Sequence, residues 1–492
     1  MDEAIAIARA VRSGERRASE VIAACIAAID RWQPHTHAWL RRCDEAARAH
    51  ALRIDEARAA GRPLGSLCGV ALGLKDLFVT RGVETTAGSR VLAGWVPPYE
   101  GTHARRLAAA DAPLLGKLAL DEFAMGSSSE NVPGEPVRNP WALDRIAGGS
   151  SGGSAVAVAT GMCTVALGSD TGGSIRQPAA LCGIVGVKPS YGRVPRSGMI
   201  AFASSLDQAG PMTRSVRDAA AVLEVIAGHD RGDATSLDVP VPALVAACDR
   251  GIAGLRVGVH RRALDLPGLA DDVRAAFERA LAVLADRGAT LVDLELPHFE
   301  LAIATYYVLC AAEAASNLAR YDGVRYGKRE PADTLVASYE ATRSAGFGAE
   351  VKRRILLGTF VLRKDSYAAY YGRAQRVRSL IARDYADAFA RCDVIASPTS
   401  PTVAWKLGER TADPLAMYLA DVFTVGANLA GLPAISIPCG FTDSPRLPIG
   451  LQLIGAHLRE DVLLAAAAAH EDGTKWHTER PPETTLDAGA TG

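Results

Sequence analysis

Apolar positions in the first 61 residues recur at helical spacing, on alanine-rich faces interrupted near Ser13-Gly14 and at Pro34. The spacing predicts helices near 2–12, 18–31 and 43–60. Next comes a short run that is apolar without alternation, Gly69-Val70-Ala71-Leu72-Gly73-Leu74, which reads as a buried strand ended by Lys75-Asp76. From 102 to 168 helix and strand patterns alternate: Thr102–Ala110, Pro113–Gly116, the Asp121–Ser128 segment, and then two glycine-rich blocks joined by an apolar stretch. Within that stretch Ala155-Val156-Ala157-Val158-Ala159 is small and apolar on every side, which suits a buried helix starting at the first glycine block. Cys163–Gly168 reads as a buried strand.

Further along, 270–288 reads as a charged helix, Leu255–Val259 and Thr290–Leu296 as strands, and Ser366–Arg391 as a helix. The last would place Tyr370, Ala374, Val377, Ile381, Tyr385 and Phe389 on one core-facing side. Alternation of this kind predicts an α/β fold: a large, mixed, mostly parallel twisted sheet covered by helices on both faces. Active groups in such folds gather at strand ends.

Composition narrows this picture. The 492 residues carry 49% hydrophobic and 22% charged positions, ample for a large core. A formal charge of −1 gives no electrostatic footprint for nucleic acid, so any RNA contact would run through a partner. Nine scattered cysteines show no metal-ligand spacing and read as buried thiols of a reducing compartment. Met1-Asp2-Glu3-Ala4 lacks a secretory signal, and no uninterrupted apolar run approaches the ~18 residues that span a bilayer; the expectation is a cytoplasmic protein with no membrane contact.

The candidate chemistry lies in the two glycine blocks, Gly148-Gly149-Ser150-Ser151-Gly152-Gly153-Ser154 and Ser169-Asp170-Thr171-Gly172-Gly173-Ser174-Ile175-Arg176. Such clusters are commonly plain loops, and a phosphate cradle is a second reading. Neither block ends in the Gly-Lys-Ser/Thr of a Walker loop, and no Gly-x-Gly-x-x-Gly follows a strand with the required acidic residue. Ser150 has Gly149 and Ser151 beside it rather than the Gly-x-Ser-x-Gly of a nucleophile elbow. None of the ten histidines sits in a glycine turn or a His-x-x-x-His pair. Lys75 is then the best base on offer, as a desolvated amine able to accept a proton near neutral pH; the other reading is a surface lysine whose stem covers the strand end.

Taken together, Gly-Gly-Ser-Ser-Gly-Gly-Ser at 148–154, Asp-Thr-Gly-Gly-Ser-Ile-Arg at 170–176, serines 24 positions apart and a lysine ending an upstream strand resemble the amidase signature family. Within it the likeness is greatest to the glutamine-hydrolysing subunits of tRNA-dependent amidotransferases. It runs through Arg138-Asn139-Pro140-Trp141, Tyr191–Val194, Ala201–Gln208, 321–327, Gly346–Thr359, Pro398-Thr399, Asp413–Leu415, Asn428–Pro433 and Gly450–Gln452. The resemblance implies one amidase domain over 1–492, with N-terminal helices to 62, a catalytic core over 63–210 and specificity elements over 211–492.

It also implies a Ser-Ser-Lys triad: Ser174 as nucleophile, Ser150 as bridge after a cis peptide, and Lys75 as terminal base. The backbone N–H groups of Thr171, Gly172, Gly173 and Ser174 would form the oxyanion hole. Asp170 and Arg176 would hold the turn's shape. Arg354 and Asp421 would hold the α-carboxylate and α-ammonium of glutamine, with Gly126 and Ser127 beside them. No metal or cofactor is implied in this chain. Ammonia would pass to a B subunit that activates Glu-tRNA(Gln) with ATP and Mg²⁺, a small C subunit would brace the pair, and tRNA would be contacted mainly through the partner.

The chain departs from that branch at Leu118-Ala119-Leu120, where Thr-Asn-Met is usual, at Leu77, where asparagine is common, and at Pro195 and Ser197. A free-standing amidase for another small amide is the alternative reading.

Overall fold

Unalternating apolar runs become the central strands of one sheet, because both faces of those strands are covered by helices. The computed structural model describes residues 3–325 and 327–488. Asp2, at the expected start of the first helix, and Tyr326, within the 321–327 motif, lie outside the described residues. The strands are β1 (Trp39–Arg42), β2 (Leu72–Lys75), β3 (Leu114–Leu118), β4 (Arg138–Asn139), β5 (Ala142–Ile146), β6 (Val165–Asp170), β7 (Val185–Lys188), β8 (Gln208–Thr213), β9 (Arg256–Val259), β10 (Thr290–Asp293), β11 (Val394–Pro398), β12 (Ala434–Phe441) and β13 (Pro448–Gly455). Among the described residues eleven of them form one sheet in the order β1-β3-β2-β6-β8-β7-β12-β13-β11-β9-β10, and β4-β5 is a separate ribbon.

The sheet is mixed, as expected, but its balance is antiparallel: six of its ten neighbouring pairs run that way and four are parallel. The parallel pairs lie toward the two ends, where helices cross over. In the middle the pairs are antiparallel, among them the β12–β13 hairpin closed by the Thr442 N–H bond to the Leu447 carbonyl at 2.9 Å.

The N-terminal helices form at Ala4–Ser13, Ala18–Thr36 and Asp44–Ala59. The second continues through Pro34 rather than stopping there. The Thr36 hydroxyl satisfies the Trp32 carbonyl at 2.9 Å, and His37, left-handed at φ 55°, donates its N–H to Gln33. The expected 366–391 helix is broken into Lys364–Tyr367 and Tyr371–Phe389. Tyr370 falls at the break, 47% exposed and edge-on to Phe360, while Ala374, Ile381 and Tyr385 keep the core face.

Among the described residues one helical segment, Phe299–Leu318, is long and apolar enough to cross a membrane, with mean hydropathy 1.2. More than half of it is buried inside the protein, where it packs against the Ala349–Leu362 and Tyr371–Phe389 helices.

Three elements position the candidate site. The Gly152–Ala159 helix leaves it and β6 returns to it, so the residues before the helix and those after the strand meet again. Beside β6 runs β2, parallel, with Leu74 opposite Leu167, so Lys75 arrives at the same sheet edge as Ser169.

Arg176 then locks this edge to the C-terminal half. Its guanidinium donates to Asp170 through Nε and a terminal nitrogen, both at 2.9 Å, and to the Thr424 carbonyl, Gln452 and Asn428 at 3.0, 2.6 and 2.6 Å. All five donors are used, and both charges are fully buried. Burial pushes the Asp170 pKa up, but the Arg176 charge and the hydrogen bonds from Arg176 and Asn428 outweigh it and hold the pKa at about 2.

Removing Arg176 while leaving Asp170 strands a buried charge. Arg176→Met is expected to lower unfolding stability by about 3 to 5 kcal/mol in chemical denaturation at neutral pH. Because Asp170 is depressed below its ordinary value near 4, its contribution in the unaltered protein is complete above pH ~4 and is lost as pH falls toward 2. An Arg176→Met protein that unfolds at the wild-type denaturant concentration would refute this role.

Candidate active site

At the shared edge of β2 and β6, Lys75 is fully buried with its amine among three hydroxyls: Ser150 Oγ at 2.7 Å, Ser151 Oγ at 2.8 Å and Ser169 Oγ at 2.9 Å. A protonated amine would donate to all three. A neutral amine has two donors and a lone pair, so one hydroxyl must turn its proton toward it. The Ser151 proton is taken by the Ser169 carbonyl at 3.2 Å, which leaves Ser151 only as an acceptor from the amine. The hydroxyls of Ser150 and Ser169 bond nothing but Lys75 among the described residues, so either can supply that proton.

Burial drives the Lys75 pKa from its usual 10.5 down to about 7, against a partial offset from the carboxylates of Asp121, Asp170 and Asp207. None of those acids touches the amine. Asp121 accepts the N–H groups of Ser129 and Asn131 at 2.9 and 3.0 Å. Asp207 accepts the Thr171 hydroxyl at 2.7 Å and the N–H groups of Phe202 and Ala203. Asp170 is held by Arg176.

Ser150 follows a cis peptide after Gly149 and is fully buried. Ser174 meets this cluster through its carbonyl, which accepts the Ser151 N–H at 3.2 Å, while its hydroxyl has no hydrogen bond among the described residues and the residue retains 8% exposure. The N–H groups of Thr171, Gly172, Gly173 and Ser174 likewise donate to no protein acceptor among the described residues. Four consecutive free donors beside a free hydroxyl form a concavity suited to a developing oxyanion.

Only glycine fits two of these positions. Gly173 has φ 145°, and a Cβ there would stand 2.4 Å from Thr424 Oγ1; a Cβ on Gly172 would stand 2.5 Å from the Tyr306 ring. The Gly172 carbonyl is tied back by the Thr424 hydroxyl at 2.6 Å.

Asp421 lies against the same turn, with Oδ1 3.3 Å from where a Gly173 side chain would begin. Its Oδ2 accepts the Ser127 hydroxyl at 2.5 Å, while Oδ1 is buried with no hydrogen-bond partner among the described residues. Burial raises its pKa to about 7, opposed by the Ser127 hydrogen bond. Gly126 leaves room for the Asp121 carboxylate, whose Cγ would lie 2.3 Å from a Cβ at that position.

Arg354 is buried beside a stacked pair of rings: it lies 4.8 Å from the centre of Tyr307 and 5.3 Å from that of Tyr418, whose own centres are 3.7 Å apart, and 5.7 Å from Phe202. With Gly126 and Tyr418 it lines a cavity of about 130 Å³, which shares Asn131, Ala349 and Glu350 with an outer cavity of about 470 Å³. Arg354 and Asp421 do not bond each other: Asp421 lies against the nucleophile turn, and the Arg354 charge acts on it through space.

Sequence reasoning passes over several residues here. Ser151 and Ser169 stand inside the two glycine blocks, and their value lies in a lysine brought from another strand. Tyr307 and Tyr418 look like core aromatics until Arg354 is found beside their stacked pair. Glu350, one turn before Arg354, carries the only local signal, an i,i+4 charge pair.

Comparison with known proteins accords with this geometry. A family model described as Amidase matches residues 20–464. The chain is 54% identical over 467 residues to the A subunit of the glutamyl-tRNA(Gln) amidotransferase of Moorella thermoacetica, covering 95% of each, and 52% identical to its counterpart from Chloroflexus aggregans, covering 96% of each. Its fold is similar to the crystal structure of the same A subunit from Thermotoga maritima, with a TM-score of 0.78 and 39% identity over 93% of this chain and 92% of that one. With a family match over most of its length and relatives above half identity across nearly all of it, the chain belongs to the amidase family.

Proposed function

We propose that this chain, as one amidase domain over 1–492, is the glutaminase subunit of a cytoplasmic tRNA-dependent amidotransferase and releases ammonia from glutamine by acyl transfer to Ser174. The observation that carries the reading is the unpartnered Asp421 oxygen beside the nucleophile turn, together with the buried Arg354 guanidinium whose charge acts on that carboxylate. A carboxylate oxygen without a donor awaits a cation, and an arginine with free terminal nitrogens awaits a carboxylate. An α-amino acid supplies both. The names of the relatives, over nearly the full chain, favour glutamine as that amino acid.

In this mechanism neutral Lys75 draws the proton of Ser150 as Ser150 takes that of Ser174, and Ser174 Oγ attacks the side-chain amide carbon of glutamine. The charge arriving on the carbonyl oxygen meets the N–H groups of Thr171 to Ser174. Collapse breaks the carbon–nitrogen bond, with the proton held by Lys75 returning through Ser150 to the leaving ammonia. Water then attacks the γ-glutamyl ester by the same relay run again, releasing glutamate and restoring Ser174.

Ammonia passes to a B subunit that activates Glu-tRNA(Gln) with ATP and Mg²⁺; a small C subunit braces the pair. The tRNA is contacted mainly through the partner, in keeping with a net charge of −1.

The deciding assay is ammonia release from glutamine by the purified chain with and without its B and C subunits, with Ser174→Ala as control. A rise in rate on adding Glu-tRNA(Gln) and ATP is expected; equal turnover of generic amides by the chain alone would instead indicate a free-standing amidase.

The pH profile follows from two groups. Lys75 must be neutral and Asp421 ionised, and both change state near pH 7, so kcat/KM for glutamine is expected to rise with pH through about 7 and to level off roughly one pH unit higher. Asp421→Asn should make the acid limb shallower, and a profile flat from pH 6 to 8 would contradict the assignment.

Arg354→Ala and Asp421→Ala are each expected to raise KM for glutamine by about 10- to 100-fold, the range of a lost charge-assisted hydrogen bond. Full activity in both variants would exclude glutamine from this pocket.

A further inference from the structure

Arg354 is confined but not oriented by its aromatic walls. Tyr307 and Tyr418 stack on each other with centres 3.7 Å apart, so Arg354 lies beside the pair, and these ring contacts do not by themselves set which edge of the guanidinium a ligand meets. In-plane orientation matters because a carboxylate is grasped by two parallel N–H bonds from one edge of the fork.

We propose that Glu350 supplies the missing constraint and is the positioning residue that presents Arg354 to the substrate α-carboxylate; this rests on the glutaminase reading above. Glu350 and Arg354 stand one turn apart on the Ala349–Leu362 helix, and both are buried. Glu350 Oε1 accepts from Arg354 Nε at 2.7 Å and from the Tyr418 hydroxyl at 3.2 Å, while Oε2 accepts from the half-exposed Arg353. One carboxylate thus fixes the guanidinium through Nε and holds one ring of the stacked tyrosine pair beside it.

The terminal nitrogens of Arg354 are left for a ligand. One reaches only Cys310 Sγ at 3.7 Å, and the other has no protein acceptor among the described residues. Glu350 also lines both of the cavities that meet beside Arg354.

Orientation and charge make opposite predictions. A carboxylate already on Arg354 weakens its pull on a second one, so if charge were what mattered, removing Glu350 would tighten glutamine binding. If orientation matters, removing the acceptor loosens binding, and an uncharged acceptor of the same shape restores it.

The test compares Glu350→Ala and Glu350→Gln in the chain assembled with its partner subunits, using glutamine and 4-aminobutanamide, which is glutamine without its α-carboxylate. Glu350→Ala is expected to raise KM for glutamine about tenfold while kcat stays within about twofold, the pattern of lost binding rather than lost chemistry. Glu350→Gln, which keeps an oxygen toward Nε and Tyr418, should restore KM to the wild-type value or below. For 4-aminobutanamide kcat/KM should be the same in all three proteins.

Equal losses on both amides, a fall in kcat without a change in KM, or a Glu350→Gln variant as impaired as Glu350→Ala would each overturn the positioning role. Glutamine turnover with an unaltered KM in Glu350→Ala would overturn it alone, whereas absence of glutamine turnover in the unaltered protein would overturn the glutaminase reading and this inference with it.

Discussion

A fully buried ammonium ion with no touching carboxylate is costly, and the structure is arranged around that cost. Among the described residues Lys75 has only hydroxyl oxygens within hydrogen-bond reach, and burial brings its pKa to about 7. The neighbouring strand supplies a contrast. Lys117 is equally buried, but it lies 3.1 Å from Asp76 and donates to the Phe78 carbonyl and Thr85 hydroxyl at 2.7 Å. That amine has a charge partner and serves as a clamp. Lys75 has acids in its field yet none in contact, since Asp121, Asp170 and Asp207 are each engaged by other donors.

This separation of charges is a consequence of topology. The Gly152–Ala159 helix and β6 carry the chain away from the site and back, so two serine-bearing turns on either side of that excursion close on the end of β2. Arg176 then binds the second turn to elements some 250 residues later through Thr424, Asn428 and Gln452. Thr424 is the hinge between chemistry and specificity: its hydroxyl holds the Gly172 carbonyl, and Asp421 stands one turn before it. A pocket built by the C-terminal half is thereby held in register with a turn built by the N-terminal half.

Much of this was legible in the residues. Glycine blocks flanking a small apolar helix announced two turns with usable serines, and unalternating apolar runs announced covered strands. Strand direction was not legible, because alternating helix and strand patterns favour parallel crossovers, whereas β8 here inserts antiparallel between β6 and β7. Tyr370 fitted the periodic face of a helix that breaks just before it reaches the core. The hydroxyls of Ser151 and Ser169 and the carboxylate of Glu350 gain their meaning from partners set by tertiary packing, or by a neighbour whose own role was unknown. Lys75 was legible as an unusual residue at a strand end, but its lack of a touching carboxylate was not.

The most direct test of the account is the ionisation of Lys75 itself. The chain has only eight lysines, so carbon-13 labelling of their side chains gives a simple spectrum in which Lys75 is the signal lost in Lys75→Ala. That signal should titrate near pH 7 and lie in its neutral form at pH 8.5. A Lys75 amine still charged at pH 9 would contradict the relay, because an ammonium ion has no lone pair with which to take the proton of a serine.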